Sequence, residues 1–349
     1  MKPLYILAFS FFYGTHCFAQ LGGKHVYEFL SMPASARITG LGGQVIGVMD
    51  DDVSLALGNP ASLNDRMHNH LSFAHDFFFE GVQNGYVSYA RKWDKWNINT
   101  HIGAQYINYG DFIRSDVLGN QDGSFGAAET ALVLGVSKKI ADRLYAGANL
   151  KGVFSHFDTY SSTGIAADLG LNYVNDSSDF VVSLVVKNLG TQLTTYVNDR
   201  YSTPMDVQIG ITKRLKHLPF RFSIIAHQLH KFDVRYDDPD QKQTTDIFGE
   251  PIKENPIKNA VDNVFRHLVF NGEFLLGKNE NLRIRAGYNH LRRKELSLST
   301  FRSLAGFSLG FGIKVNAFRL DYGVGYHHLA GAANHITISV DMNRFFNKI

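Results

Sequence analysis

The stretch that decides the fold is Gly306-Phe-Ser-Leu-Gly-Phe-Gly-Ile-Lys-Val-Asn-Ala-Phe-Arg-Leu-Asp-Tyr-Gly-Val-Gly325. Apolar and small or polar residues alternate along it with period two, the signature of a β-strand with two unlike faces. One face of the first half carries Phe307, Leu309, Phe311, Ile313 and Val315, and the other carries Ser308, Gly310, Gly312, Lys314 and Asn316. After a turn at Asn316-Ala317 the alternation resumes. The stretch therefore predicts a two-stranded hairpin.

The same stretch contains GFSLG, which matches the G-x-S-x-G pattern around the nucleophilic serine of many hydrolases. That chemistry requires a sharp strand-to-helix turn, whereas Ser308 lies within an unbroken alternating run. The mature chain contains neither S-x-x-K nor H-E-x-x-H as a second motif. We expect no catalytic residue and no enzymatic activity.

Similar alternation recurs from about residue 69 to the end of the chain. We predict an all-β fold with about fourteen strands, at 68–79, 82–92, 96–108, 125–139, 142–156, 161–175, 178–189, 204–215, 219–231, 263–276, 281–292, 303–316, 317–327 and 333–346. A soluble sandwich or a membrane barrel would fit the alternation alone. Most of these strands reach about ten residues, enough to cross a bilayer when tilted, which favours a transmembrane antiparallel β-barrel.

Two further patterns favour the barrel. Connections after even-numbered strands are short, whereas those after odd-numbered strands are mostly long: 109–124, 157–160, 190–203, 232–262, 293–302 and 328–332. Outer-membrane barrels place short turns on the periplasmic rim and long loops outside the cell. Aromatic residues also gather near predicted strand ends, as in Phe77-Phe78-Phe79 and Trp93 with Trp96, which is typical of an interfacial girdle. The terminal run 336–346 predicts a closing strand.

The N-terminal region has a different pattern. Residues 1–19 read as a signal peptide, with Lys2, a short apolar run and a cleavage site between Ala19 and Gln20. No apolar run of about 18 residues follows, so no transmembrane helix is predicted. Residues 20–67 are too short to form a separate core, and we expect a hatch segment in the mouth of the barrel formed by 68–349. Short helices are expected near Tyr27–Ala36 and at Asn59-Pro60.

Several motifs resemble known outer-membrane proteins. Ser35-Ala-Arg-Ile-Thr-Gly-Leu-Gly-Gly43 and Asn59-Pro-Ala-Ser-Leu63 are similar to the N-terminal region of FadL-like barrels. More specifically, Arg285-Ala-Gly-Tyr-Asn-His-Leu-Arg-Arg-Lys-Glu-Leu296, Gly306–Lys314 and His327-His-Leu-Ala-Gly331 resemble the PorQ branch of the PorV/PorQ family. The resemblance runs from about residue 24 to the end.

This resemblance implies a fourteen-stranded barrel with an N-terminal hatch in the outer membrane of a Bacteroidetes-type bacterium. It also implies a place in the attachment complex of type IX protein secretion, anchoring a PorZ-like surface subunit beside a PorU-like sortase and a PorV-like barrel. It carries over no binding residue. The alternative is a FadL-like transporter of small hydrophobic compounds.

Charged residues suggest further sites. Lys151, Asp168, Arg283, Arg285, Arg319 and Asp321 are predicted to face the lumen, where opposite charges would pair and hold the barrel shut or else line a conduction path. The acids Asp50-Asp51-Asp52 suggest a solvated or capping loop rather than a cation site. His327, His328 and His335 are expected to be ordinary loop or rim histidines, because no carboxylate cluster completes a metal site. No cofactor or metal is predicted.

The charged loop 232–262 is the longest external feature and the predicted partner-docking surface. Its candidate docking residues are Asp237, Asp238, Asp240, Glu250, Lys253 and Glu254. The net charge of +3 is too small to indicate nucleic-acid binding, so we expect outer-membrane lipid and protein partners instead.

Overall fold

The computed structural model describes residues 25–235, 256–296, 304–328 and 331–346. Across these residues fourteen antiparallel strands close into a barrel in which sequence neighbours pair and β1 pairs with β14. The strands are β1 His70–Phe77, β2 Gln83–Trp93, β3 Ile98–Ser115, β4 Gln121–Ala141, β5 Leu144–Phe157, β6 Tyr160–Asn175, β7 Phe180–Thr194, β8 Asp206–Arg214, β9 Phe220–Ala226, β10 Leu268–Leu276, β11 Leu282–Asn289, β12 Phe307–Val315, β13 Phe318–His328 and β14 Gly331–Asp341. The predicted fold class and strand number are confirmed.

Helices are few and short. They are α1 Ala36–Gly40, α2 Leu55–Gly58, α3 Pro256–Arg266, α4 His290–Glu295 and α5 Asn343–Phe346, with 3-10 turns at Glu28–Ser31, Pro60–Ser62, Asp65–Met67, Phe79–Gly81 and Asp176–Ser178. None of the helices in the described ranges is long and apolar enough to cross a membrane.

The alternation predicted from the sequence governs which way side chains point. In β12, Phe307, Leu309 and Phe311 are between 43% and 53% exposed on the outer surface, whereas Ser308 is buried on the inner one. Outward apolar positions recur around the barrel, as expected for a surface that contacts lipid. Trp93 and Trp96, with ring centroids 5.8 Å apart, lie exposed at the turn after β2.

Four of the predicted long connections are shorter than expected, among them 190–203, because β7 continues to Thr194. The hairpin of β3 and β4 continues to the pair Ser115 and Gln121, past two register shifts. The predicted loop 157–160 is only the turn between Phe157 and Tyr160, and β13 and β14 end and begin at His328 and Gly331. Beyond the membrane both faces of a strand meet water. The strand pairing continues there without the apolar alternation by which the sequence would predict it.

Four predicted strands have different bounds in the structure, three of them next to a helix. The ninth ends at Ala226, the tenth begins at Leu268 after α3, and the eleventh ends at Asn289. The Asn289 side chain accepts a hydrogen bond from Arg292 N at 3.1 Å and so starts α4. The last strand ends at Asp341, and Phe345 lies in α5 rather than in a strand.

Candidate functional site

The N-terminal segment, defined here as residues 25–67, contacts inward-facing residues on opposite sides of the barrel. Its first helix, α1, begins at Ser35, whose hydroxyl accepts from Ile38 N. Ala36 N donates to Thr337 Oγ1 on β14 at 2.9 Å. Glycine allows the close approach, since a Cβ on Gly40 would lie 3.1 Å from Gly310 Cα. The helix is thereby held against β12, β13 and β14.

The far end of the segment is fixed to β5 and β6. Asn59 Oδ1 accepts from Ala61 N at 2.9 Å and starts the turn Pro60–Ser62, so the helix start predicted at Asn59-Pro60 is confirmed as a short 3-10 turn. Asn59 Nδ2 donates to Asn172 Oδ1 on β6 at 2.8 Å. A Cβ on Gly147 of β5 would meet the backbone of Pro60 and Ala61. The segment therefore spans the interior from wall to wall.

Arg37 on α1 is the centre of a buried ionic cluster. Its side chain is completely buried, and its guanidinium donates to Asp50 at 2.7 and 2.9 Å. The same group donates to Asp52 at 3.1 Å and to Glu273 Oε2 at 3.0 Å. Glu273 lies on β10, so these contacts join the N-terminal segment to the barrel wall.

The cluster extends along the inner faces of β9 to β13. Arg221 contacts both Glu273 and Asp50, and Arg283 lies 3.4 Å from Asp50. Arg285 bridges Glu273 and Asp321, with 2.7 Å to each carboxylate. Each carboxylate thus faces at least one guanidinium, which is the condition under which buried charge is tolerated.

A second group of contacts is made by Asp51. Its carboxylate accepts from Lys314 Nζ at 2.6 Å and from the Arg319 guanidinium. Asp50, Asp51 and Asp52 together therefore bind basic residues from four strands, β9, β11, β12 and β13, as well as Arg37. The expectation of a solvated loop is wrong here, because the three acids neutralise basic residues that the inward faces of these strands present. The expected local capping is found, since Asp52 Oδ1 accepts a hydrogen bond from Ser54 N at 3.1 Å.

The electrostatics of Asp50 and Asp51 follow from this arrangement. Burial by itself raises the pKa of Asp50, but the guanidinium groups of Arg37, Arg283 and Arg221 outweigh burial and hold that pKa well below its usual range. Burial and the neighbouring Asp50 raise the pKa of Asp51, but the charge and hydrogen bond of Arg319 and the hydrogen bond from Lys314 together outweigh them and lower it. Both acids are therefore ionised at neutral pH.

The remaining predicted lumen charges form a separate pair. Lys151 on β5 and Asp168 on β6 are both fully buried, with Nζ and Oδ2 2.9 Å apart. Asp168 also accepts from Asn188 N at 2.8 Å and from Asn149 Nδ2 at 3.0 Å. All six predicted lumen residues thus point inward and lie beside an opposite charge, although in two clusters rather than one.

Among the other residues considered in the sequence, Ser308 lies where the strand pattern predicts and His335 does not. Ser308 lies on β12 among glycines, opposite Gly287 and Gly325, without the turn a nucleophile requires. His335 is fully buried and lies 3.0 Å from Thr39 Oγ1, so the expectation of a rim histidine is wrong. The side chains of His327 and His328 lie outside what the structure describes.

Two groups of predicted residues fall outside the described ranges. They are the signal cleavage site at Ala19 and Gln20, and the docking candidates Asp237, Asp238, Asp240, Glu250, Lys253 and Glu254. Both remain predictions.

Two clefts lie on the rim of long connections. One of about 350 Å³ lies among Asn108, Asp111, Ser124 and His156, and one of about 280 Å³ lies between α3 and Phe232. Neither is lined by the N-terminal segment. Within the described ranges no three His, Cys, Asp or Glu side chains form a group able to hold a metal ion.

Comparisons with known proteins agree with this architecture. No protein-family model matches the sequence, and no curated protein matches it. Among solved structures, the chain is similar to the Pseudomonas putida toluene transporter TodX, with 12% identity, a TM-score of 0.53 and coverage of 88% of this chain and 96% of that one. It is also similar to the CymD monoaromatic hydrocarbon channel, with 14% identity, a TM-score of 0.52 and the same coverage.

A third structure, of a Pseudomonas aeruginosa FadL homologue, aligns over 88% of this chain and 97% of that one, at 9% identity and a TM-score of 0.47. The first two likenesses support an outer-membrane β-barrel with a FadL-like fold. Their names describe a transporter and a channel. At such identities the likeness concerns the fold alone.

Proposed function

We propose that this chain is a non-enzymatic outer-membrane barrel of the type IX protein secretion system, which anchors a PorZ-like surface subunit of the attachment complex. The proposal combines the resemblance of segments such as Arg285–Leu296 to the PorQ branch with the geometry of the lumen. Signal-peptide export, a Bacteroidetes-type source and neighbouring PorU-like and PorV-like partners belong to the same proposal.

The observation that carries the anchoring role is the ionic cluster between the N-terminal segment and the wall. Withdrawing the segment would separate Arg37 from Glu273, and Asp51 from Lys314 and Arg319. Removing one partner from a buried ion pair costs about 3–5 kcal/mol. A pore that opened by moving this segment would have to overcome several such contacts, so a barrel kept shut fits the geometry better than a conducting one. The segment would then act as a hatch that stays in place.

The partner would dock on the rim of long connections, which in outer-membrane barrels faces outside. The proposed docking surface remains the loop with Asp237, Asp238, Asp240, Glu250, Lys253 and Glu254. Its length and charge distinguish it from the tight turns on the opposite rim.

Crosslinking in intact cells tests this proposal. The barrel is purified in detergent after crosslinking, from cells with the natural chain and from cells lacking residues 237–254. We expect a surface-exposed secretion component with the natural chain and its loss with the deletion. A control in which the β3–β4 turn 116–120 is replaced by an equally long Gly-Ser linker should retain the partner. Recovery of the barrel alone from the natural chain would contradict the proposal.

The second candidate is transport of small hydrophobic compounds. It is favoured by the fold likeness to structures named as a toluene transporter and a monoaromatic hydrocarbon channel. Uptake of a radiolabelled monoaromatic compound into vesicles containing the purified chain, above that of empty vesicles, would support it. Equal uptake would leave the anchor as the better account.

A further inference from the structure

The wall of the barrel is uneven in height. Strands β3 and β4 have 18 and 21 residues, whereas β9 has 7, fewer than any other strand in the described ranges, and β1 and β11 have 8 each. At about 3.3 Å per residue and a tilt near 40°, seven residues rise roughly 18 Å, less than the apolar band of about 25 Å that a barrel presents to lipid. The sheet alone therefore leaves a gap in the apolar surface above β9.

Helix α3 precedes β10, the strand that pairs with β9 beside this gap. Its C-terminus leads directly to β10, and His267, the residue between them, is tied to the end of β9. His227 N donates to His267 O at 2.9 Å, and His267 Nδ1 lies 2.8 Å from His227 O. The C-terminal end of α3 is thus fixed next to the end of β9, the shortest of the described strands.

The polar side of α3 contacts the protein. Asp262 pairs with Arg266 at 2.8 Å and, on α4, with His290 and Lys294 at 3.1 Å each. Asn263 donates to Phe232 O at 2.7 Å and accepts from Val234 N at 3.1 Å. These contacts fix which side of the helix points inward.

The opposite side is apolar and exposed. Val261, Val264 and Phe265 are 51%, 59% and 44% exposed, and with Ile257 they follow the i, i+4, i+7, i+8 spacing of a single helical face. Outward apolar residues of the short strands continue the same surface below, notably Ile209, Ile211, Ile224 and Phe274.

We propose that α3 lies at the membrane interface with Val261, Val264 and Phe265 in the acyl chains of the outer leaflet, completing the apolar band where β9 is too short. The exposed Lys258 lies at the level of the headgroups, as basic residues of interfacial helices do. The occupant is lipid rather than a protein, because α3 leads through the single residue His267 into β10, and the outward residues Phe274 of β10 and Ile224 of β9 are apolar and exposed.

Tryptophan quenching tests this proposal independently of the type IX reading. Trp93 and Trp96 are first replaced by Phe, and a single reporter is introduced as Val261→Trp, with Phe265→Trp as a conservative second position. The full chain is reconstituted in phosphatidylcholine vesicles with or without bromine on the acyl chains, and folding is checked by heat-dependent gel migration. Leu118→Trp, in the exposed turn 116–120 between β3 and β4, is the water-exposed control, and Ile224→Trp is the lipid-facing reference.

Brominated lipid should quench Val261→Trp and Phe265→Trp to an extent similar to Ile224→Trp, and roughly twofold or more beyond Leu118→Trp. Aqueous acrylamide should show the reverse order. Acrylamide quenching of Val261→Trp equal to that of Leu118→Trp would overturn the proposal, because the face would then be solvated. Protection of both helix reporters from bromine and acrylamide alike would also overturn it, because protein would then cover the face.

Discussion

Replacing Arg37 by Leu should loosen the N-terminal segment while leaving the barrel closed. Arg37 is fully buried and neutralises Asp50, Asp52 and Glu273 together. Its loss leaves three carboxylates with fewer counter-charges, and breaking a buried pair in this way costs about 3–5 kcal/mol. At about 1.4 kcal/mol per tenfold change, the open state of the segment should become more populated by about a hundredfold to a few thousandfold.

Thiol labelling can measure this change. The mature chain predicted after cleavage contains no cysteine, and Ser62→Cys places a thiol at a position that is only 1% exposed in the segment. If labelling requires the segment to open, its rate reports the open population. We expect the Arg37→Leu variant to be labelled faster than the Ser62→Cys parent by the factor above, with unchanged heat-dependent gel migration of the barrel.

The matched control is Arg66→Leu, which removes an exposed arginine from the same segment. Surface substitutions usually change stability by less than about 0.5 kcal/mol, so its labelling rate should stay within roughly threefold of the parent. A change of less than about tenfold in Arg37→Leu would refute the reasoning, because the cluster would then contribute little to holding the segment.

Three further predictions concern the same barrel. The pKa values of Asp50 and Asp51 are lower in the folded than in the unfolded chain, so the stabilisation from these acids is fully present above about pH 4 and is lost only as pH falls through the lowered values. Hydrogen exchange of residues 36–64, corrected for the intrinsic pH effect, should therefore be constant from about pH 8 to about pH 4 and rise below about pH 3. A rise in exchange near about pH 6 would contradict this prediction. Gly287→Val should also release the N-terminal segment, because the added Cβ would meet the backbone of Leu41 and Gly42. The control Gly152→Val should not release it, because there is open space around that Cβ. Equal rates of thiol labelling of the two variants in the Ser62→Cys background would count against this packing. Leu309→Lys on the lipid face should destabilise the barrel in urea titrations by about 2–4 kcal/mol, the cost of a lysine near the bilayer midplane. Val197→Lys, in the exposed connection 195–205, should leave the urea midpoint unchanged. Similar urea midpoints for the two variants would argue against a lipid-facing β12.

The barrel could be predicted because its dominant signal is local. Alternation in runs such as Phe307–Val315 reflects the unlike surroundings of the two faces of one strand, and no distant residue is needed to recognise it. The boundaries were less predictable. Leu268 and Asn289 mark strand ends set by helices, and the hairpin beyond Asn108 continues in water, where alternation has no physical cause.

Only part of the ionic cluster could be predicted from the sequence. Inward charges such as Arg285 and Asp321 follow from strand period, and the lumen was expected to pair them. The role of Asp50-Asp51-Asp52 could not be predicted in the same way, because their partners on the barrel wall lie more than 160 residues away, on β9 and beyond. Arg37 itself gave no signal, since a single arginine in a short helix is usually exposed.

Helix α3 shows a similar limit. Its apolar residues Val264 and Phe265 fall within the strand predicted at 263–276, because a short helical face and a strand face share several positions. The exposure of that face becomes meaningful only once the short β9 is seen beside it.

Anchoring of a surface subunit is tested most directly by where that subunit is found when the barrel is missing. The measurement is the fraction of the PorZ-like subunit in outer-membrane pellets and in culture medium, in cells with and without this chain. Anchoring predicts that the subunit moves from the membrane to the medium without the barrel and returns when the natural chain is restored. A subunit that stays fully membrane-bound in cells lacking the chain would contradict the account.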